Sequence, residues 1–216
     1  MIFSFYGEGC FKIQSGEKNI LTDPLTTASG LTAPRFKTDI ILKTLTPFPI
    51  SDQPISQSDS QLIYGPGEYN VNNIKISGIK LAKESSKDFF KTIYLVEMES
   101  VKLCFLGHIS QTPEPDTLEQ LEEIDILFIP AGGKPFMEQK TAAQLIKQIN
   151  PKIVIPSFFK IPGLKRPADD LKIFMEETNG QKKESIKSLE KLQEKLTIKK
   201  KDLEEINKTE IAALKA

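Results

Sequence analysis

The chain has one histidine, two cysteines and no tryptophan among 216 residues. Each scarcity closes off a chemistry. A centre that holds metal through several imidazoles needs several neutral histidines on one ion, and only His108 is on offer. Cys10 and Cys104 cannot build a disulfide framework. A thiol-poor chain of this kind belongs by default to a reducing, cytoplasmic compartment. Both cysteines fall inside apolar runs and read as buried, unreactive small hydrophobes. A surplus of either charge is missing too, because 29 Lys+Arg meet 29 Asp+Glu. Nucleic-acid binding by phosphate neutralisation needs excess cations, so no nucleic-acid partner is expected. No apolar run approaches the ~18 residues that a bilayer-spanning helix requires, so no membrane partner is expected. Met1 to Tyr6 lacks a basic n-region and is soon followed by Gly7 and Glu8, so no signal peptide is expected. No repeat of solenoid length is present.

What remains reads as a single domain over residues 1–216 with a Lys/Glu-rich segment at 181–216, consistent with the usual length prior. The first half reads as strands: Ile2 to Tyr6, Cys10 to Gln14, Lys18 to Thr22, Asp39 to Thr44, Leu62 to Tyr64, Tyr69 to Val71 and Ile74 to Ile79. Asn72-Asn73 suits a hairpin turn. A second hairpin joins Phe90 to Glu97 with Val101 to Leu106 by way of Glu99-Ser100. The period then changes. Helices are predicted over Asp116 to Glu123, Glu138 to Ile149 and Ala168 to Thr178, the last stopped by Asn179-Gly180. Between them lie buried strands at Ile126 to Ile129 and Lys152 to Ile155, each followed by proline. Strand, helix, strand, helix implies parallel pairing with helices outside the sheet. Ile186, Leu189, Leu192 and Leu196 sit three or four apart, the stripe of a charged helix capping the core or binding a partner, or of a helix running into a strand at Leu196 to Ile198. The loops Asp23 to Lys37 and Pro47 to Ser60 are long enough to line a site. Ala131-Gly132-Gly133 could form an anion-binding nest. No G-x-S-x-G nucleophile elbow is present.

The order of segments resembles the metallo-β-lactamase superfamily, in particular its small single-domain UlaG-like or lactamase-B-like hydrolases. The stretches that carry this are FSFYGEGCFKIQSGEKNILTDPL, YGPGEYNVNNIKISGI, KLCFLGHI, IDILFIPAGG and PKIVIPSFF. The resemblance spans roughly residues 1 to 205 and implies a four-layer αββα sandwich of mixed α/β class. It also implies a zinc motif, Thr-His-x-His-x-Asp-His, after the strand at Asp39 to Thr44. There imidazoles and a carboxylate converge on zinc at about 2.0–2.2 Å, and the metal makes a hydroxide nucleophile from bound water.

The matching stretch here is KTLTPFPISD. Leu45 and Pro47 stand at the first two histidines, Pro49 at the aspartate and Ile50 at the last histidine. His108 aligns with the later bridging aspartate, Phe158 with the final histidine, and the early Gly-His turn has become Gly7-Glu8. The expectation is therefore a catalytically degenerate member of the fold, a pseudoenzyme with no metal or other cofactor. It would bind or scaffold a protein partner, or form a homo-oligomer, through the former pocket or the charged tail. The alternative is a metal-dependent hydrolase with rearranged ligands. Glu8, Asp23, Glu68 and His108 would then hold one divalent ion such as zinc or manganese. Those carboxylates could equally cap backbone amides at loop junctions. A third reading, a nucleic-acid module, rests on Lys199-Lys200-Lys201, whose field Asp202, Glu204 and Glu205 cancel.

Overall fold

The computed structural model describes residues 1–50, 60–180, 186–188 and 192–216. The elements in chain order are β1 (Ile2–Phe5), β2 (Phe11–Ser15), β3 (Lys18–Thr22), β4 (Ile40–Leu42), β5 (Leu45–Pro47), β6 (Gln61–Ile63), β7 (Gly67–Val71), β8 (Ile74–Lys80), β9 (Phe89–Met98), β10 (Val101–Phe105), α1 (Pro115–Glu119), β11 (Ile126–Pro130), α2 (Gln139–Ile149), β12 (Ile153–Ser157), α3 (Leu171–Gly180), β13 (Ile186–Ser188), β14 (Leu196–Thr197), α4 (Lys200–Glu204) and β15 (Thr209–Ile211).

Two mixed sheets with flanking helices form the expected sandwich. The first runs β14-β1-β2-β3-β4-β6; the second runs β13-β15-β12-β11-β10-β9-β8-β7, with β5 attached to β9. Alternation explains the inner faces. Phe11, Ile13 and Ser15 are buried while Lys12 and Gln14 are half-exposed, the period-2 signature of a strand with one face packed. The parallel strands β11 and β12 are buried at every position, as strands covered on both faces must be. Phe128 of β11 anchors the interface between sheets. Its ring centroid lies 4.3 Å from Phe105, 4.9 Å from Phe11 and 6.0 Å from Phe3. The expected hairpin turns are both present, with Asn72, Asn73, Glu99 and Ser100 at positive φ, the geometry that a tight two-residue hairpin demands.

The helices differ from expectation at their edges. The helix expected over Asp116 to Glu123 is only Pro115–Glu119. The helix expected from Ala168 begins at Leu171 and continues through Gly180. Residues just before it are taken up elsewhere: the Asp169 amide donates to Gly132 O and its carbonyl accepts from Lys160 N.

The tail departs most. Of its predicted stripe, Leu189 lies outside the described residues, Ile186–Ser188 is a strand rather than helix, and Leu196–Thr197 is the strand that the alternative reading placed at Leu196 to Ile198. Sheet edges explain this. Leu196 and Thr197 pair antiparallel with Phe3 and Ile2, and Met1 and Ile198 exchange hydrogen bonds. Open edges offer backbone partners that a charged solvated helix lacks. Among the described residues, no helix is long and apolar enough to cross a membrane.

Candidate functional site

Strands β1, β3 and β4 point the same way in the first sheet, as do β10, β11 and β12 in the second. Their C-terminal ends deliver Glu8, Asp23, Thr44, His108 and Phe158. The chain reverses sharply there. Glu8, Asp23, Gly107 and Phe158 all have positive φ, at 55°, 36°, 59° and 59°. For a bulky residue such as Phe158 this is a strained backbone, retained only where the surroundings impose it. Gly107 has a second reason for its identity: a Cβ there would run into the Thr44 side chain.

Thr44 is the hub. It is 1% exposed. Its amide donates to Asp23 Oδ1 at 2.8 Å and its hydroxyl donates to Asp23 Oδ2 at 2.7 Å. The same oxygen lies 2.7 Å from His108 Nδ1. With its only proton given to Asp23, the hydroxyl must accept from His108, so Nδ1 carries the imidazole proton. Burial pushes the His108 pKa below 6.5, against the attraction of Asp23; the ring is therefore neutral at physiological pH. Burial also pushes Asp23 up, opposed by His108, by the Thr44 hydroxyl and amide, and by Lys43. Asp23 and His108 approach to only 3.8 Å directly; the threonine bridges them.

Glu8 is held differently. Arg166 donates from Nε to both carboxylate oxygens at 3.0 Å and from Nη2 to Oε2 at 2.7 Å. Nη2 also reaches the Phe158 carbonyl, and Nη1 donates to the Pro167 carbonyl. The guanidinium lies 4.8 Å from the Phe136 ring centroid and 5.9 Å from that of Phe158, within cation–π range. Phe136, Phe158 and His108 form a ring cluster with centroids 4.3 to 5.6 Å apart. A Cβ on Gly9 would lie 2.7 Å from Phe158 Cζ and 2.8 Å from Asp23 Oδ2, so the Phe158 ring reaches the space beside the Asp23 carboxylate.

Of the four candidate residues, Asp23 and His108 are brought together, Glu8 is bound to Arg166, and Glu68 is elsewhere. Glu68 lies on β7, at the edge of the second sheet, and accepts from Ser77 Oγ in an exposed position. Among the described residues, no three His, Cys, Asp or Glu side chains group closely enough to hold a metal ion. The carboxylates that remain are committed within the protein: both Asp23 oxygens accept from Thr44, and Glu8 faces the Arg166 cation.

Leu45–Pro47, in the stretch that the resemblance matches to the family's metal-binding loop, is a strand. It pairs antiparallel with Lys91, Phe90 and Phe89 of β9, and the Thr46 hydroxyl donates to Tyr64 O at 2.8 Å. Pro47, Pro49 and Ile50 are exposed; of the residues at the aligned ligand positions, Phe158 alone fills the interior, at 1% exposure.

Other candidates resolve plainly. Both cysteines are buried, and burial pushes the Cys10 thiol up to about 12 and Cys104 further. The Ala131-Gly132-Gly133 turn is no anion nest, since the Asp169 carboxylate packs against Gly133 and accepts from Gln139 at 2.8 Å. Arg166 and Phe136 gave no local signal in sequence, because an arginine in a proline-flanked loop resembles any other. Glu84 was equally silent; it accepts from Lys91, Ser110 N and Ser110 Oγ, tying down the loop after His108. Thr44 could have been noticed as the threonine that opens the degenerate motif.

The family profile for the beta-lactamase superfamily domain matches residues 3–157. Among solved structures, the chain is similar to a Thermotoga maritima protein named for the zinc-dependent hydrolases of the metallo-beta-lactamase superfamily. The two share 22% identity over 99% of each chain, with a TM-score of 0.73. It is also similar to Igni18, a metallo hydrolase from the archaeon Ignicoccus hospitalis, at 15% identity over 83% of this chain and 90% of that one, with a TM-score of 0.62. A third likeness is to YhfI of Bacillus subtilis, a metallo-beta-lactamase fold protein, at 9% identity over 99% and 96%, with a TM-score of 0.61. At these identities the structural likenesses speak to fold alone.

Proposed function

Starting from the fact that this chain belongs to the beta-lactamase superfamily, we propose that it is a catalytically degenerate member, a pseudoenzyme whose former metal pocket is a metal-free structural unit and whose role is binding or scaffolding. One observation carries the reading. The two carboxylates at the converging strand ends are already engaged within the protein: Glu8 by Arg166, and Asp23 by Thr44. A hydrolytic metal site keeps an open coordination position and ligands free to take it. The partner is another protein or a second copy of this chain. The test is elemental analysis of protein purified without chelator. The expected result is far less than one zinc, iron or manganese per chain; one ion per chain, lost on substituting Asp23 or His108, would refute the reading.

A second reading draws on the closeness of Asp23 and His108: a metal-dependent hydrolase with rearranged ligands. It requires Asp23→Ala and His108→Ala each to abolish both metal content and turnover. Unchanged metal content in both variants removes it.

A further inference from the structure

Resting on the metal-free reading above, we infer that the Arg166 guanidinium has taken over the two structural tasks of a metal ion at this place, neutralising buried carboxylate charge and tying separate loops into one unit. The geometry argues for each task in turn.

Consider charge first. Glu8 is only 17% exposed and Arg166 21% exposed. A carboxylate taken this far out of water is costly unless a cation faces it. Asp23 lies in the same pocket, linked to it through the Phe158 ring. Lys91, a cation near His108, is bound to Glu84 at 2.8 Å, and the charge of Lys43 acts on Asp23 rather than Glu8. The fixed cation that Glu8 faces is Arg166.

The second task is tying. One guanidinium contacts the Glu8 turn after β1, the carbonyl of the strained Phe158 after β12, and Pro167 in its own loop. Its Cζ also sits over the Phe136 ring, 4.8 Å from the centroid, in the turn after β11. These are strand ends of both sheets, and two of them, the Glu8 turn after β1 and Phe158 after β12, are positions that the family resemblance matches to its metal-site residues. Arginine suits this and lysine does not. Its planar fork makes two parallel bonds to a carboxylate while its face packs on rings. The polar edge and the apolar face are both used here.

The experiment is a double-mutant cycle of E8Q, R166M and E8Q/R166M read by thermal melting. R166M should lower Tm by more than roughly 5 °C, because it leaves Glu8 buried and unpaired. E8Q/R166M should recover at least half of that fall, since an amide needs no counter-cation. A smaller fall in R166M, or no recovery in the double variant, overturns the inference. If R166M does not fold, R166K and E8Q/R166M replace it, as each keeps the pocket neutral. Failure of both to give a cooperatively melting protein also overturns it. Wild-type protein is melted in parallel after chelator treatment and after adding zinc or manganese. No change in Tm is expected. A metal-dependent shift there would refute the metal-free reading itself, whereas a flat wild-type response with a failed cycle refutes this inference alone.

Discussion

Replacing Thr44 by valine isolates the hydroxyl that joins the two halves of the pocket. Valine keeps the shape, and the Thr44 amide bond to Asp23 Oδ1 survives. What disappears is the 2.7 Å donation to Asp23 Oδ2 and the 2.7 Å bond from His108 Nδ1. Two polar groups are then left unpaired where side-chain exposure is 10% for Asp23 and 19% for His108. Each buried unsatisfied group costs about 1–3 kcal/mol. Direct closure of the 3.8 Å gap between His108 and Asp23 offsets part of that. The net expected loss is about 2–3 kcal/mol, a fall in Tm of roughly 4–12 °C for a domain of this size. Urea titration followed by circular dichroism measures it, with T44S as the control that keeps the hydroxyl. A T44V loss under about 0.5 kcal/mol, or T44S as damaging as T44V, would refute the hub role. The same sample gives a second readout. With a single histidine in the chain, its ring proton resonance needs no assignment, and in wild type it should titrate below 6.5.

Acidification should destabilise the protein through His108. Its folded pKa lies below the ordinary 6.5, so the unfolded chain binds the proton more readily, and the stability present above 6.5 is lost as pH falls toward the folded value. Asp23, raised in the fold, works in the opposite sense at lower pH. Melting curves of wild type and H108N across pH 7 to 5 test this, and parallel slopes would remove His108 as the cause. G107A should cost about 2–5 kcal/mol or prevent folding, because the added methyl meets Thr44 at a left-handed position; a melting temperature near wild type refutes the packing argument. E84A should cost about 3–5 kcal/mol by leaving Lys91 unpaired at 14% exposure, with recovery in E84A/K91M; additive losses in the double variant would show that the pair is not coupled.

The sandwich was legible because its signals are local and repeated. Phe11 and Ile13 alternate with Lys12 and Gln14, Asn72-Asn73 fits only a tight turn, and Ile126 to Pro130 is apolar throughout. In the tail the strand expected at Leu196 is present, but the helical stripe misleads at Ile186, because apolar residues three or four apart carry the helical period regardless of what lies nearby. The free edge beside Ile2 and Phe3 decided the outcome, and an edge is a property of the assembled sheet. The site was half legible. Asp23 and His108 could be placed at strand ends from the order of segments, and the missing ligands could be read directly at Leu45, Pro47, Pro49, Ile50 and Phe158. Glu68 looked equivalent, yet β7 carries it to a sheet edge. Arg166 reaches Glu8 across 158 positions of sequence, and no spacing rule announces a contact that only tertiary folding creates.

The attachment of β5 to β9 has an evolutionary consequence. A lost ligand can return by one codon change when its backbone still faces the pocket. Here the segment has been enrolled in the second sheet, with Leu45 opposite Lys91 and Pro47 opposite Phe89, and its outer end at Phe48 is 56% exposed. An imidazole placed at Pro47 would project from a paired ribbon into solvent. Reversion would require unpicking the ribbon before any new side chain became useful. On the degenerate reading proposed above, the paired ribbon is thereby a barrier in its own right to the family's chemistry, separate from the identity of any one side chain.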